Sequence, residues 1–166
     1  RERRDEVGLR LPLRQLHLVD RLLPDVRRLE GRGDPLPRVG LSLRRAYEAL
    51  HLIVVHMGGG ISVSPHRRGR MIDVNQALDG TGPFSPERAG GLPVGDVLRM
   101  AFSGRYSYEE LFRRIAGRGG LVAHLGTNNA LEVERRIAAG DAHARLIYEA
   151  MAYQIAKDIG AMAAVL

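Results

Sequence analysis

The stretch His51-Leu52-Ile53-Val54-Val55-His56-Met57-Gly58-Gly59-Gly60-Ile61-Ser62-Val63-Ser64-Pro65-His66 decides how this chain folds. Its first part, His51 to His56, is a short apolar run rich in β-branched residues, the composition of a buried strand. From Ile61 to His66 apolar and polar residues alternate with the period of a second strand, so Met57-Gly58-Gly59-Gly60 between them has to be a tight turn. Arg67-Arg68-Gly69-Arg70 supplies the next turn, and Met71 to Val74 reads as a third strand. The expectation is a three-stranded antiparallel meander with a triple-glycine turn at one end.

Beyond the meander the chain changes character. Gln76 to Pro93 contains Gly80, Gly82, Pro83, Pro86, Gly90, Gly91 and Pro93, and a loop of this length inside a compact domain is more often functional than not. The remainder is mostly helical. Gly95 to Ser103 forms a short helix, and Ser107-Tyr108-Glu109-Glu110 is a capping box that opens a helix to about Ala116. Asn129 with Glu132 repeats that signature ahead of a helix over Leu131 to Ala139. Asp141 to Leu166 carries Leu146, Ile147, Met151, Ile155, Ile159 and Met162 at helical spacing, with Gly160 as a weak point. No stop signal comes after it, which reads as a chain cut in mid-helix. The class is α/β.

Residues 1–45 differ. They are rich in Arg, Leu and Pro, and Pro12, Pro24, Pro35 and Pro37 recur too often for a long helix. Without a sustained period they stay unassigned, as disordered chain or as wrongly framed translation, and residues 46–166 form a partial domain. The net charge of +6 is concentrated in the same place: residues 1–45 hold 12 Arg against 7 acids, the rest 13 basic side chains against 12 acids. A non-catalytic nucleic-acid-binding or interaction protein would have to use that segment, yet no aromatic is interleaved there for base stacking. Lys157 is the only lysine, an arginine bias that a GC-rich genome explains more simply. Nucleic acid is therefore not the expected partner. No apolar run is long enough to span a membrane and no signal-peptide core is present, so the expected location is the cytoplasm. The absence of cysteine excludes disulfides and thiolate chemistry.

The best candidate for chemistry is the Gly58-Gly59-Gly60 turn. Three residues without a Cβ let backbone N–H groups converge on an anion at close range, and His56 and Ser62 place polar groups beside them. A hairpin turn without a ligand is the plainer alternative. In the long loop, Phe84-Ser85-Pro86-Glu87-Arg88-Ala89-Gly90 holds Arg88 between prolines and glycines, and a guanidinium suits an oxyanion or a transferring phosphoryl group. Asp73, Asp79 and Glu87 are near enough in sequence to join such a site, or else they cap strand ends and turns. No metal-ligating set is assigned.

Taken together, several segments strongly resemble the acetate and butyrate kinase family: His56-Met57-Gly58-Gly59-Gly60-Ile61-Ser62-Val63, Ile72-Asp73-Val74-Asn75, Ala77-Leu78-Asp79-Gly80 and Gly82-Pro83-Phe84-Ser85-Pro86-Glu87-Arg88. So do Gly119-Gly120-Leu121-Val122-Ala123, Gly126-Thr127-Asn128 and Tyr148 through Lys157 with Ile159-Gly160-Ala161-Met162. The resemblance runs from about Tyr47 to Leu166. It implies a ribonuclease-H-like, actin-like ATPase domain and reversible phosphoryl transfer between ATP and butanoate, giving butanoyl phosphate and ADP, with Mg2+. It also implies that Gly58, Gly59, Gly60 and Ser62 lie against the ATP phosphates, that His56 and Arg88 are catalytic, and that complete relatives are homo-oligomers. Acetate kinases usually carry asparagine at the position of Gly59, which favours the butyrate branch. Further catalytic residues upstream and an adenosine-binding glycine motif downstream belong to the family and not to this sequence, so an incomplete and inactive form is expected.

Overall fold

The structure, a computed structural model, describes residues 45–166. The segment left unassigned, and the nucleic-acid reading that depends on it, lie outside the described residues except for Arg45.

After a 3-10 turn at Tyr47–Ala49, strands β1 (His51–Met57), β2 (Ile61–Arg67) and β3 (Arg70–Met71) form one antiparallel sheet in the order β1-β2-β3. The expected meander is present, with altered boundaries. Met57 pairs with Ile61, so β1 runs one residue further and the turn contracts to the three glycines. Arg67 pairs with Arg70, leaving only Arg68 (φ 50°) and Gly69 (φ 74°) between them. Two left-handed residues in a two-residue loop match the twist of the flanking strands.

The third strand is shorter than Met71 to Val74. Ile72 N–H still donates to Pro65 O at 3.0 Å, and then the chain leaves the sheet. The side chain of Asn75 takes over the edge of β2: Val63 N–H donates to Asn75 Oδ1 at 2.7 Å, and Asn75 Nδ2 donates to Ile61 O at 3.1 Å. One carboxamide thus satisfies the two backbone groups that a continuing strand would have paired. Met71, Ile72 and Val74 are exposed, so their apolar character reflects no core contact.

Five α-helices follow among the described residues: α1 (Val94–Ala101), α2 (Tyr108–Ile115), α3 (Gly120–Leu125), α4 (Ala130–Ala138) and α5 (Ala142–Ala164). Ser107 and Glu110 form the expected capping box, each bonding the other's backbone N–H. Asn129 does only half of that task. Its side chain accepts from Leu131 N–H and Glu132 N–H, while the Glu132 carboxylate bonds Thr127 Oγ1 and Arg136, and Asn129 N–H turns to Thr127 Oγ1. Those partners hold the Glu132 carboxyl below its usual range, the Thr127 hydroxyl first and Arg136 second. Asp141 caps α5 through Ala144 N–H at 2.9 Å, and Gly160 sits on the exposed side without interrupting the helix. Helix α3 has no counterpart among the elements expected from the sequence.

The core lies on one face of the sheet. Ile61 and Val63 of β2, with Ile53, Val55 and Met57 of β1 alongside, meet Tyr148, Met151, Ile155 and Ile159 of α5, while Leu121 of α3 and Val133 of α4 close the sides. Full burial of such side chains stabilises the fold by about 1.5–3 kcal/mol each. Tyr148 is wholly buried beside Glu134, and burial pushes its phenol well above the ordinary range. On the opposite face the polar residues of β2 line up: Ser62, Ser64 and His66. Ser64 Oγ and Tyr47 Oη lie 3.1 and 2.9 Å from the two ring nitrogens of the buried His66.

Candidate active site

The sheet presents its glycine turn at one end, and the long loop from Ile72 to Pro93 folds back over it. Four anchors fix the part of that loop nearest the turn. Phe84 N–H donates to Gln154 Oε1 on α5 at 3.0 Å. Ser85 O and Pro86 O accept from Leu121 N–H and Val122 N–H in the first turn of α3, both at 3.1 Å. Glu87 O accepts from Gly117 N–H and Gly119 N–H, and Arg88 forms an isolated antiparallel bridge with Ala116. Finally, Gly59 O accepts twice, from Ser85 Oγ at 2.7 Å and from Glu87 N–H at 3.0 Å.

These contacts explain the glycines around the loop. Gly120 has φ +55°, and a Cβ there would stand 1.7 Å from Ser85 O; at Gly119 it would stand 2.4 Å from Ala89 N. Backbone meets backbone at both positions, leaving no room for a side chain. The turn glycines differ, because none of Gly58, Gly59 and Gly60 has a positive φ. Their value lies in space and exposed amide, not in conformation. A Cβ on Gly59 would fall 2.9 Å from Glu87 Oε2, whereas on Gly58 and Gly60 it would make ordinary contacts with His56 Nε2, Ala77 and Arg88.

An open cleft of about 180 Å³ lies at the turn, lined by His56, Gly58, Gly59, Gly60, Ser62, Ala77, Leu78 and Arg88. Of the residues named in the sequence as candidates, His56, Gly58, Gly59, Gly60, Ser62 and Arg88 line this wall. His56 and Ser62 are directly paired across β1 and β2 and so point to the same face. Asp73 and Asp79 are not on it: Asp73 accepts from Val74 N–H and Asp79 from Gln76 Nε2, turn-capping duties both. Glu87 stands behind Gly59, bonded by Asn128 Nδ2 at 2.6 Å. Ser85, wholly buried and off this wall, ties Gly59 to the loop from behind, a contact that sequence reasoning missed.

Three donors in the cleft have no partner among the described residues. Gly58 N–H closes the turn onto Gly60 O at 2.9 Å, but the N–H groups of Gly59 and Gly60 take no acceptor. Arg88 Nε is buried and unbonded, with Gly60 beside it. A buried donor without an acceptor costs about 1–3 kcal/mol, and native proteins keep few of them without a reason. Two backbone amides and a guanidinium on one small wall fit an oxyanion, and so fit the phosphate end of a nucleotide or acyl phosphate. Among the described residues no group of three or more His, Cys, Asp and Glu side chains could hold a metal ion.

The fold is shared with solved acetate and propionate kinases. Porphyromonas gingivalis acetate kinase superposes with a TM-score of 0.71 over 77% of this chain and 33% of its own, at 23% sequence identity. A propionate kinase from Francisella tularensis gives 0.71 over 79% and 34%, also at 23% identity. The acetokinase family matches residues 37–166, and the chain belongs to that family of carboxylate kinases. It is 57% identical to butyrate kinase 2 of Clostridium acetobutylicum over 122 residues, which are 74% of this chain and 34% of that protein. The chain thus spans about a third of the length of this curated relative. Among the described residues no helix is long and apolar enough to cross a membrane.

Proposed function

We propose that the glycine-turn cleft is the phosphate-binding wall of a butyrate kinase, which transfers a phosphoryl group reversibly between ATP and butanoate. The observation that supports this reading most is the convergence of the unpaired Gly59 and Gly60 N–H groups and the buried, unbonded Arg88 Nε on one cleft. ATP, when bound, supplies the transferable phosphoryl group. The amides of Gly59 and Gly60 hold phosphate oxygens, and Ser62 stands beside them. Arg88 places a permanent charge and a planar fork where negative charge spreads over the transferring group. His56, facing the same cleft, adds a donor. Branched and other short acyl acids remain within reach of the same chemistry.

This wall does not position both reactants by itself. Phosphoryl transfer draws its acceleration from alignment and electrostatic stabilisation of both reactants, and the residues of this wall contact the phosphate end alone. With ATP, Mg2+ and butanoate, the 166-residue chain is expected to form butanoyl phosphate no faster than its Gly59→Val variant.

Binding tests the reading without requiring turnover. Titration calorimetry should show inorganic phosphate and ATP binding to the 166-residue chain, and Arg88→Ala should weaken both by roughly 10-fold or more, the worth of a charge-assisted hydrogen bond. Equal affinity in the variant, or no binding by the unaltered chain, would overturn the assignment.

A further inference from the structure

The cleft has walls of two kinds. The glycine turn, His56, Ser62 and Arg88 supply polar groups, while Ala77 and Leu78 supply its alkyl side chains. Leu78 is 55% exposed, a large apolar side chain standing in water at the rim of an anion-suited cleft. It is held there by a built turn. Leu78 N–H donates to Gln76 Oε1 at 3.2 Å, and Gln76 Nε2 donates to Asp79 Oδ2 at 3.2 Å. Gln76 O accepts from both the N–H and the hydroxyl of Thr81 at 3.2 and 3.0 Å. The Ala77 methyl lies 3.6 Å from where a Cβ on Gly60 would be, so the alkyl wall adjoins the unpaired amides.

Size narrows the occupant. The part of the cleft that the glycine turn, Arg88, Ala77 and Leu78 line measures about 180 Å³, below the roughly 300 to 1,000 Å³ of sites that enclose a drug-sized ligand, so these residues meet only the reacting end of whatever binds. An anionic head with a short apolar tail matches its volume and both walls. We infer that Leu78, with Ala77 beside it, is the residue that reads acyl chain length: the tail of an acyl phosphate lies along Leu78 while its head lies on Gly59, Gly60 and Arg88. The inference rests on the reading of the cleft as an anion site. Full burial of a methylene is worth about fourfold in affinity, and half that burial on an open wall gives roughly twofold for each methylene.

The test uses the 166-residue chain and the stable series inorganic phosphate, methyl, ethyl, propyl and butyl phosphate, with affinities from titration calorimetry. Affinity should rise roughly twofold per methylene in the unaltered chain. That slope should flatten in Leu78→Ala and survive in Leu78→Met, which keeps a flexible apolar side chain of similar volume. Because Leu78 is exposed, the melting curve of each variant should stay close to that of the parent, excluding a folding artefact. Phosphate binding with a flat slope, or an equal slope in Leu78→Ala, overturns the role of Leu78 alone. Failure of the unaltered chain to bind inorganic phosphate overturns the anion reading and the inference with it.

Discussion

The hydroxyl of Ser85 donates to the carbonyl of Gly59 at 2.7 Å, and this bond ties the long loop to the glycine turn. Ser85 also accepts from Arg88 N–H at 3.2 Å, so one buried side chain sets both the turn and the start of the arginine. The peptide between Gly59 and Gly60 is trans, so fixing the Gly59 carbonyl toward Ser85 aims the Gly60 N–H the opposite way. An amide held in advance costs no reorganisation when an anion arrives. Replacement of Ser85 by Ala should lower stability by about 1–3 kcal/mol, the cost of an unsatisfied buried donor. Denaturant unfolding measures it, and a loss below about 0.5 kcal/mol, the range of a neutral surface change, would show that the bond matters little.

Gly120 makes a sharper steric prediction. Its φ of +55° and the 1.7 Å approach of a Cβ to Ser85 O mean that Gly120→Ala has to move backbone on the loop that carries Arg88. Gly104, at φ +69° with nothing within 4 Å, provides the control. Gly104→Ala should cost roughly 1 kcal/mol for the left-handed conformation alone, whereas Gly120→Ala should cost more than about 3 kcal/mol or prevent folding. Similar unfolding midpoints for the two variants would contradict the close approach.

His66 makes stability depend on pH. Burial lowers its pKa from the ordinary 6.5, so the folded chain holds the ring neutral between Tyr47 Oη and Ser64 Oγ. In this direction the contribution is fully present above pH 6.5 and is lost as pH falls through the lowered folded value, because below 6.5 the unfolded chain binds the proton first. Unfolding free energy should therefore decline from neutral pH into the acid range below 6.5, and His66→Gln should remove that part of the slope. An unaltered slope in the variant would assign the pH dependence to other groups.

The sequence shows the hairpin, the Ser107 capping box and the final helix because each has a local cause: β-branched runs around glycines, Ser107 with Glu110, and Asp141 ahead of an apolar stripe. It misleads where a tertiary contact replaces a local one. Met71 to Val74 reads as a strand, but the Asn75 carboxamide takes the edge of β2, and nothing local in an asparagine announces that. Helix α3 is hidden by its flanking glycines, which read as loop until Gly119 and Gly120 are seen pressed against the 85–89 backbone. The cleft was legible as glycines and Arg88. The alkyl wall of Ala77 and Leu78 and the bond from Ser85 were not, since both depend on how the loop returns to the turn.

Gly59 and Glu87 should prove energetically coupled. Glu87 Oε2 occupies the space where a Cβ on Gly59 would go, while Asn128 Nδ2 bonds the other carboxylate oxygen at 2.6 Å. Gly59→Ala displaces the end of a flexible side chain, not backbone, so its cost is the broken Asn128 contact and should be about 0.5–1.5 kcal/mol, the scale of one ordinary hydrogen bond. With Glu87→Ala already in place the same methyl enters open space, and its cost should fall by about 0.5 kcal/mol or more, the signature of residues in contact. A double-mutant cycle by denaturant unfolding measures the coupling, and additivity within about 0.3 kcal/mol would show that Glu87 is not what meets a side chain at that position.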